Sequence, residues 1–233
     1  MLKNFFNLFR MKEEYLDKIA ENEQLVVVSG PAGTGKRTVL QEYLKDHERA
    51  CISIPATTRE QKKDEVDGEE YWFVSVAEFE RMIRTGEMLE YHYVGNYGCG
   101  TTKKGVEEAR AKGKNVILDV DPTSAMKIRT LCPDATLIFI LPPSWEELRE
   151  RLEGTEMYSE EEIAQLMDMA EEEIACANQY DYVLINDNVT SAVNRFAQIL
   201  HGNRYSRNSM KGFLDSYIDG EIKPHIEQFK NSL

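Results

Sequence analysis

The sequence has no hydrophobic run long enough to cross a membrane, and its positive charges are fewer than its negative charges. Its apolar runs fall well short of the roughly 20 residues of a membrane-spanning helix, so no integral membrane contact is expected. The 233 residues contain 28 Lys and Arg against 41 Asp and Glu, a formal net charge of −13. Such a surface repels duplex nucleic acid, because phosphate binding needs positive charge concentrated in one place. A small phosphorylated ligand in a basic pocket remains compatible with this balance.

Cysteine and histidine are also scarce, with four residues of each type. The cysteines form no CxxC pair and have no histidine at a zinc-ligand spacing, so we expect reduced thiols and no zinc site. Reduced thiols, together with an N-terminus that lacks a secretory cleavage pattern, predict a cytoplasmic protein. The histidines are scattered, and we expect surface or core positions for them rather than a part in the chemistry. They are His47, His92, His201 and His225.

Short apolar runs alternate with segments of helical spacing along most of the chain. The runs cover residues 25–28, 116–118, 137–140 and 182–185. Strands that are apolar on both faces and alternate with helices are typical of a parallel sheet flanked by helices, so the sequence predicts an α/β fold. The alternation breaks at residues 50–105, which we interpret as an inserted subdomain. It breaks again at residues 153–162, a polar stretch that suits a mobile flap.

Both ends of the chain lie outside this alternation. Residues 1–20 place Phe5, Phe6 and Phe9 on one stripe, which predicts an amphipathic helix. Such a helix packs against its own chain, or contacts a membrane surface or another subunit, and the sequence leaves these alternatives open. Residues 201–233 are polar with a few apolar anchors, so we expect a helical extension on the surface.

A glycine-rich segment follows the first predicted strand and opens a predicted helix. This phosphate loop consists of Gly30, Pro31, Ala32, Gly33, Thr34, Gly35 and Lys36. In this context the G-x-x-x-x-G-K pattern indicates binding of the ATP phosphates by inward-pointing backbone N–H groups, the helix N-terminus and the lysine. Arg37 and Thr38, which come next, are included in the predicted ATP site.

Mg²⁺ is the expected companion of ATP. The position after Lys36, usually a Ser or Thr whose hydroxyl binds the ion, is Arg37, and Thr38 comes only after it. Asp119, at the end of the strand predicted at residues 116–119, is the natural acidic partner for Mg²⁺, directly or through water. The same aspartate could instead cap the next helix. The candidate metal ligands are therefore Thr38 and Asp119.

Beyond the loop, the chain resembles the guanylate kinase family without gaps from about residue 24 to residue 192. The matching segments are residues 56–59, 65–73, 89–91, 100–101, 117–121, 139–144 and 186–187. The resemblance implies a P-loop NTPase core within residues 21–200, an inserted mixed α/β GMP-binding subdomain at 51–105 and a helical lid at 150–166. It also implies transfer of the ATP γ-phosphoryl group to GMP with Mg²⁺, a reaction that depends on positioning and charge neutralisation.

The same resemblance assigns roles to individual residues. For the acceptor nucleotide it implies Arg59, Lys62 and Tyr71 at the phosphate, with Glu90, Thr101 and Asp121 at the guanine. An arginine fork matches a phosphate, and carboxylates accept from the guanine N1–H and amino group, which adenine cannot reproduce. It further implies Asn186 in the ATP site and Arg151 with Lys36 and Asp119 in catalysis.

Several family positions carry other residue types in this chain. Pro55 stands where the family has a base-contacting Ser, and Cys99 stands where it has a Tyr that binds phosphate. Lys62 replaces a second arginine at the phosphate, which keeps the charge but loses the bidentate geometry. We therefore expect weakened binding of the acceptor.

The lid departs from the family further. Thr155 and Leu166 stand where the family has two arginines that close over the transferring phosphoryl group. An arginine in this role contributes roughly 10³–10⁵ in rate, so catalysis needs another cation in their place. Arg151, Arg37 and Arg149 are the candidates.

Two functions from different classes remain open at this point. One is a kinase that phosphorylates GMP, with a reduced rate left open. The other is a catalytically silent guanylate-kinase-like module that senses nucleotides or binds a phosphorylated or acidic protein partner. Such modules usually lose the phosphate loop as well, so Lys36 favours the kinase, whereas the altered lid favours the module.

Overall fold

The computed structural model describes residues 23–211, 214 and 215. It has a larger unit, Glu23–Ala197, and a smaller unit whose described residues begin at Gln198. The helix predicted at residues 1–20 lies outside the described residues, as does most of the extension predicted at 201–233. In the described ranges, no helix is long and apolar enough to span a membrane.

Nine strands and seven α-helices form in the described residues. The strands are β1 (Leu25–Ser29), β2 (Ala50–Ile52), β3 (Ala56–Thr57), β4 (Trp72–Phe73), β5 (Met88–Val94), β6 (Tyr97–Thr102), β7 (Asn115–Asp119), β8 (Thr136–Leu141) and β9 (Tyr182–Ile185). The helices are α1 (Lys36–Lys45), α2 (Val76–Arg84), α3 (Lys103–Ala111), α4 (Pro122–Leu131), α5 (Trp145–Glu153), α6 (Glu160–Ala175) and α7 (Val189–Asn203). A short 3-10 helix, Cys176–Gln179, follows α6.

The central element of the larger unit is a five-stranded sheet in the order β2-β7-β1-β8-β9, and all its pairings are parallel. Every residue of β1 is buried, because helices cover both faces of the sheet. The predicted parallel sheet and α/β class are thus confirmed. β2 is a correction, since Ala50–Ile52 pairs with β7 although the sequence assigned residues 50–52 to the inserted segment. This strand is too short to show as an apolar run.

The core lies between this sheet and its helices. Val27, Leu118 and Phe139 form a buried cluster with Ala125 and Ile128 of α4. Each large apolar side chain that is fully buried contributes about 1.5–3 kcal/mol to stability. Packing therefore fixes α4 against the carboxyl ends of β1 and β7, the edge at which ligands bind in open α/β sheets.

Residues 56–102 form a second, mixed sheet in the order β4-β3-β6-β5. β3 pairs in parallel with β4 and antiparallel with β6, and β6 pairs antiparallel with β5. Phe79 of α2 is fully buried against this sheet, in a cluster with Ala56, Met82 and Met88. The break in the strand–helix alternation therefore corresponds to a change of sheet type.

Helices α5 and α6 pack on each other around Leu148, Leu152, Ile163 and Ala170. Leu166, one of the two altered positions of the predicted lid, is partly buried in this cluster. A capping box begins α6: the Ser159 hydroxyl accepts from the Glu162 N–H, and the Glu162 carboxylate accepts from the Ser159 N–H. The polar stretch predicted at residues 153–162 is the connection between these two helices.

In the smaller unit, α7 ends at Asn203 and turns follow at residues 204–210. The Ser209 hydroxyl donates to the Asn203 carbonyl at 2.7 Å.

Candidate active site

A cavity of about 320 Å³ lies at the carboxyl ends of β1 and β7. Small-molecule sites usually measure roughly 300–1,000 Å³, so this cavity is large enough for a ligand. Eight predicted site residues line it: Gly30, Ala32, Lys36, Tyr71, Glu90, Thr101, Asp119 and Asp121. The lining also includes Ser53, Pro55, His92, Cys99, Leu118, Val120 and Glu173. The remaining predicted residues, including Arg37, Thr38, Arg59, Lys62, Arg151 and Asn186, lie outside this lining.

The phosphate loop connects the buried strand β1 to the N-terminus of α1. Gly30 has a φ of 145°, and a Cβ atom at this position would lie 2.2 Å from the Ile140 carbonyl oxygen. Only glycine fits there, because a backbone atom cannot move aside as a side chain can. The Lys36 ammonium donates to the Gly30 carbonyl and, at 3.5 Å, to the Pro31 carbonyl. The lysine thus lies over the loop, where an added phosphate would meet it.

Asn186 and Arg151 support the loop from outside the cavity. The buried Asn186 amide donates from Nδ2 to the Thr34 carbonyl at 2.7 Å. Arg151 donates from Nη2 to the Asn186 carbonyl at 2.9 Å, and its Nε pairs with Glu147 at 2.9 Å. The sequence named both residues, and in this geometry they position the loop rather than line the cavity.

Asp119 lies at the end of β7 and faces the loop lysine across the cavity. Its surface is open to the cavity, but protein atoms surround it closely, and this desolvation raises the pKa of its carboxyl group. The charges of Lys36 and Arg37 act in the opposite direction. The alternative role as a helix cap is taken by Asp121, whose Oδ1 accepts from the Ser124 N–H at 3.0 Å. Asp119 is therefore the residue left facing the phosphate loop.

Glu90, Thr101, Asp121 and His92 together form the opposite side of the cavity, which we term the acceptor end. Glu90 is only 3% exposed, and its Oε1 accepts from the N–H and the hydroxyl of Thr101 at 2.9 and 2.8 Å. Its Oε2 is buried without a hydrogen-bond partner in the described part of the chain. Burial works to raise the pKa of Glu90, but the donors around it, led by His92, outweigh burial and the pKa lies below its ordinary value. Glu90 thus presents a charged hydrogen-bond acceptor to the cavity.

His92 lines the cavity, whereas the sequence predicted only surface or core positions for the histidines. Its Nδ1 lies 3.3 Å from Asp121 Oδ2 and 3.7 Å from Glu90 Oε2. Sequence reasoning missed this cluster because Asp121 lies far along the chain from His92, and only the packing of α4 on β5 joins them. The only signal in the sequence for this cluster was the two-residue spacing of Glu90 and His92, which places both side chains on one face of a strand.

The three residues predicted to bind the phosphate of the acceptor nucleotide differ in their position relative to the cavity. Tyr71 lines the cavity, and burial raises the pKa of its phenol, which stays protonated as a donor. Arg59 lies over the Tyr71 ring at 5.2 Å and pairs with Glu65 through two bonds of 2.7 and 3.0 Å. Lys62 is exposed, and its backbone N–H donates to Glu65.

Two of the altered family positions have structural contacts. The Thr155 hydroxyl donates to the Leu152 carbonyl at 2.8 Å, and Leu166 packs in the cluster between α5 and α6. Arg149 is exposed and pairs with Glu153 and Glu160. Arg37 is exposed and has no hydrogen bond or ion pair with another described residue, although its charge acts on both Asp119 and Tyr71. Among the candidate cations, Arg37 is therefore the one that is not engaged by a carboxylate.

The donor set around the cavity limits how a metal ion could bind. In the described residues, no group of three or more His, Cys, Asp and Glu side chains is arranged to hold a metal. Mg²⁺ commonly binds through one or two carboxylates together with substrate phosphates and waters, and Asp119 fits that pattern. Thr38, the other predicted ligand, is exposed on α1 and does not line the cavity.

A buried parallel strand, a glycine loop with positive φ angles and a lysine at the helix start define a P-loop nucleotide-binding protein. The chain matches the guanylate kinase family model over residues 22–203. It therefore belongs to the guanylate kinase family.

Individual relatives cover most of the chain. The guanylate kinase of Carboxydothermus hydrogenoformans is 46% identical over 177 residues, which are 76% of this chain and 86% of the relative. That of Clostridioides difficile strain 630 is 36% identical over 209 residues, 90% of this chain and 97% of the relative. The crystal structure of guanylate kinase from Anaplasma phagocytophilum matches with a TM-score of 0.65 at 28% identity, covering 81% of this chain and 89% of that one.

Proposed function

We propose that the protein is an ATP-dependent guanylate kinase, which transfers the γ-phosphoryl group of ATP to GMP and gives ADP and GDP. The observation that carries this proposal is one cavity lined both by the phosphate loop and by the buried carboxyl group of Glu90 at its acceptor end. A loop alone would fit many nucleotide-binding proteins. The second feature, an acceptor for the N–H groups of a base, fits a guanine nucleotide facing the ATP phosphates. Cytoplasmic location and a homodimer or protein partner stay predictions.

The phosphate loop holds ATP in this proposal. Its backbone N–H groups and the N-terminus of α1 bind the phosphates, and Lys36 exchanges its bonds to the Gly30 and Pro31 carbonyls for phosphate oxygens. Asn186 and Arg151 keep the loop in this conformation through the Thr34 and Asn186 carbonyls. Since phosphoryl transfer depends on positioning, a loop that is already formed contributes directly to rate.

The acceptor end holds GMP. Glu90 Oε2 accepts an N–H of guanine, since this buried oxygen has no partner among the described residues. Tyr71 donates to the GMP phosphate, and Arg59 joins it by exchanging part of its pairing with Glu65. Thr101 fixes Glu90 through two hydrogen bonds, so its role is to orient that carboxylate.

Charge neutralisation between the two nucleotides is assigned to Lys36, Arg37 and Mg²⁺. When bound, Mg²⁺ would neutralise phosphate charge, and Asp119 is the residue that would hold it, directly or through water. The charge of Arg37 acts on Asp119 at the loop side and on Tyr71 at the acceptor side. In this proposal Arg37 supplies charge that positions 155 and 166 of the predicted lid do not, because neither of them carries a cation.

The test is ADP production from MgATP with GMP, dGMP, AMP, CMP and UMP in turn. We expect turnover with GMP and dGMP and little with the others, because only guanine presents its N–H donors to Glu90. Lys36→Ala, purified in the same way, is the control for contaminating kinases and should lose the activity. Binding of ATP and GMP without any turnover would overturn the proposal and indicate a silent nucleotide-binding module.

A further inference from the structure

His92 lies between the two carboxylates of the acceptor end. Its Nδ1 is 3.3 Å from Asp121 Oδ2, 3.7 Å from Glu90 Oε2 and 3.4 Å from the Ser124 hydroxyl oxygen. The His92 side chain is 30% exposed and lines the cavity. One nitrogen of the ring is thus held by acidic groups, while the ring itself faces the ligand space.

The groups that face His92 come from three elements. Glu90 lies on the same strand, Cys99 lies on β6, and Asp121, Ser124 and Lys127 belong to the start and body of α4. The contact with Glu90 raises the pKa of His92, burial and Lys127 oppose this, and the charge of Asp121 adds to the rise. Burial and the nearby Glu90 charge raise the pKa of Cys99 to about 11, so this neighbour is a neutral thiol. The surroundings therefore favour the imidazolium, in which both nitrogens donate.

The second nitrogen, Nε2, is left as a donor at the acceptor end. No described residue forms a hydrogen bond with it. The Thr101 hydroxyl is already committed to Glu90, and Lys127 donates to the Tyr91 carbonyl at 3.0 Å. Pro55, which also lines the cavity, has neither an N–H nor a hydroxyl group.

A donor beside carboxylate acceptors matches one base in particular. Guanine carries N–H donors next to its carbonyl oxygen O6, whereas adenine has an amino donor in place of that oxygen. We propose that His92 is a specificity-determining residue for the acceptor base: the imidazolium, anchored by Asp121 and Glu90, donates from Nε2 to guanine O6. This inference rests on the proposed function and gives the acceptor site a pH dependence of its own.

The test is the dissociation constant of GMP measured by calorimetry from pH 5.5 to 8.5 in full-length wild type, His92→Ala and His92→Gln. Relative to His92→Ala, GMP binding by the wild type should be tighter while His92 is protonated, and this difference should shrink as pH rises through the pKa of His92, approaching about tenfold per pH unit. His92→Ala should bind roughly 10–100-fold more weakly at low pH, because one charged hydrogen bond is lost, and its profile should keep only the dependence that titration of the GMP phosphate, with a second pKa of about 6, gives to every variant. His92→Gln, with an amide donor that does not titrate, should recover part of the affinity and show the same phosphate-determined profile as His92→Ala.

A second ligand and a second histidine separate this role from a structural one. 2-Aminopurine riboside 5′-monophosphate keeps the amino group but lacks O6, so wild type and His92→Ala should bind it equally. His47→Ala removes a histidine that stacks on Tyr43 outside the cavity and should keep the wild-type pH profile. ATP affinity and the melting temperature of each variant report its folding.

The outcomes distinguish the two proposals. If the wild type phosphorylates GMP but His92→Ala keeps the same pH profile and affinity, the role of His92 is overturned and the proposed function stands. An equal loss of affinity for GMP and for the analogue in His92→Ala would also overturn it. If the wild type neither binds nor phosphorylates GMP at any pH, the proposed function itself fails.

Discussion

The two ends of the cavity are built in different ways. The phosphate-loop end is a backbone structure: Gly30 and Gly35 have φ angles of 145° and 79°, and consecutive residues form the site. The acceptor end consists of side chains from β5, β6 and the start of α4 that hold one another through hydrogen bonds and charge. Binding at the loop end should therefore be lost when a substitution adds atoms to the loop. Binding at the acceptor end should be lost when a substitution removes a charge or a hydrogen-bond donor.

Gly30→Ala should have the largest effect. The new Cβ would lie 2.2 Å from the Ile140 carbonyl oxygen, and the φ of 145° is unfavourable for any side chain. Backbone strain and overpacking together cost about 2–6 kcal/mol, so the loop would be displaced and ATP binding lost. Calorimetric titration with ATP and a thermal melt measure the two consequences.

Gly86→Ala is the matched control for this prediction. Its φ of 71° is also positive, but no atom lies within 4 Å of the added Cβ. This substitution should lower the stability of the protein by only about 1–2 kcal/mol, the cost of a left-handed backbone conformation for alanine, and should leave ATP affinity unchanged. Equal loss of ATP binding in both glycine variants would show that the close contact with β8 is not what forms the loop.

Glu90→Gln should produce the next largest effect, at the acceptor end. The shape is kept and Thr101 can still donate to the amide oxygen, but the buried charge that accepts from guanine is removed. We expect KM for GMP to rise roughly 10–100-fold with ATP affinity unchanged, because hydrogen bonds to charged groups contribute about 1.5–3 kcal/mol. Steady-state kinetics with each substrate varied in turn measures KM for GMP and KM for ATP separately.

Glu80→Gln tests whether that effect belongs to the cavity. Glu80 lies on α2 and accepts from the Tyr93 hydroxyl at 2.5 Å, outside the cavity lining. The same chemical change should leave both KM values near those of the wild type. A rise in KM for ATP in Glu90→Gln, as large as that for GMP, would contradict the division of the cavity into two ends.

The difference between the two ends also explains what the sequence could predict. Residues 30–36 are consecutive, so their pattern is visible without a fold, and the fully buried strand β1 appears as an apolar run. Glu90, Thr101 and Asp121 were named only through the family resemblance. The contacts of His92 were missed because they depend on how α4 packs on β5, and β2 was missed because a strand of three residues, of which only Ala50 is buried, forms no recognisable pattern.

Arg37→Ala should have a smaller effect, and it tests whether the two ends share a cation. Arg37 acts on Asp119 at the loop end and on Tyr71 at the acceptor end, so its loss should lower kcat more than it changes either KM. We expect a fall of about tenfold, which corresponds to about 1.4 kcal/mol of transition-state stabilisation. Arg149→Ala removes an exposed arginine paired with Glu153 and Glu160 and should leave kcat unchanged. Equal effects of the two variants would assign the loss to overall charge.

The smallest effect is expected where a side chain supports the backbone loop. Asn186→Ala removes the bond from Nδ2 to the Thr34 carbonyl, which should weaken ATP binding by about 1 kcal/mol, or roughly fivefold. A Cβ at Gly35 would lie 2.5 Å from the same Nδ2 atom. Gly35→Ala should therefore be more harmful alone than in an Asn186→Ala background, because the alanine at 186 leaves room for the added methyl group. Strict additivity of the two changes in ATP affinity would mean that the φ of 79° at Gly35, and not its contact with Asn186, requires glycine there.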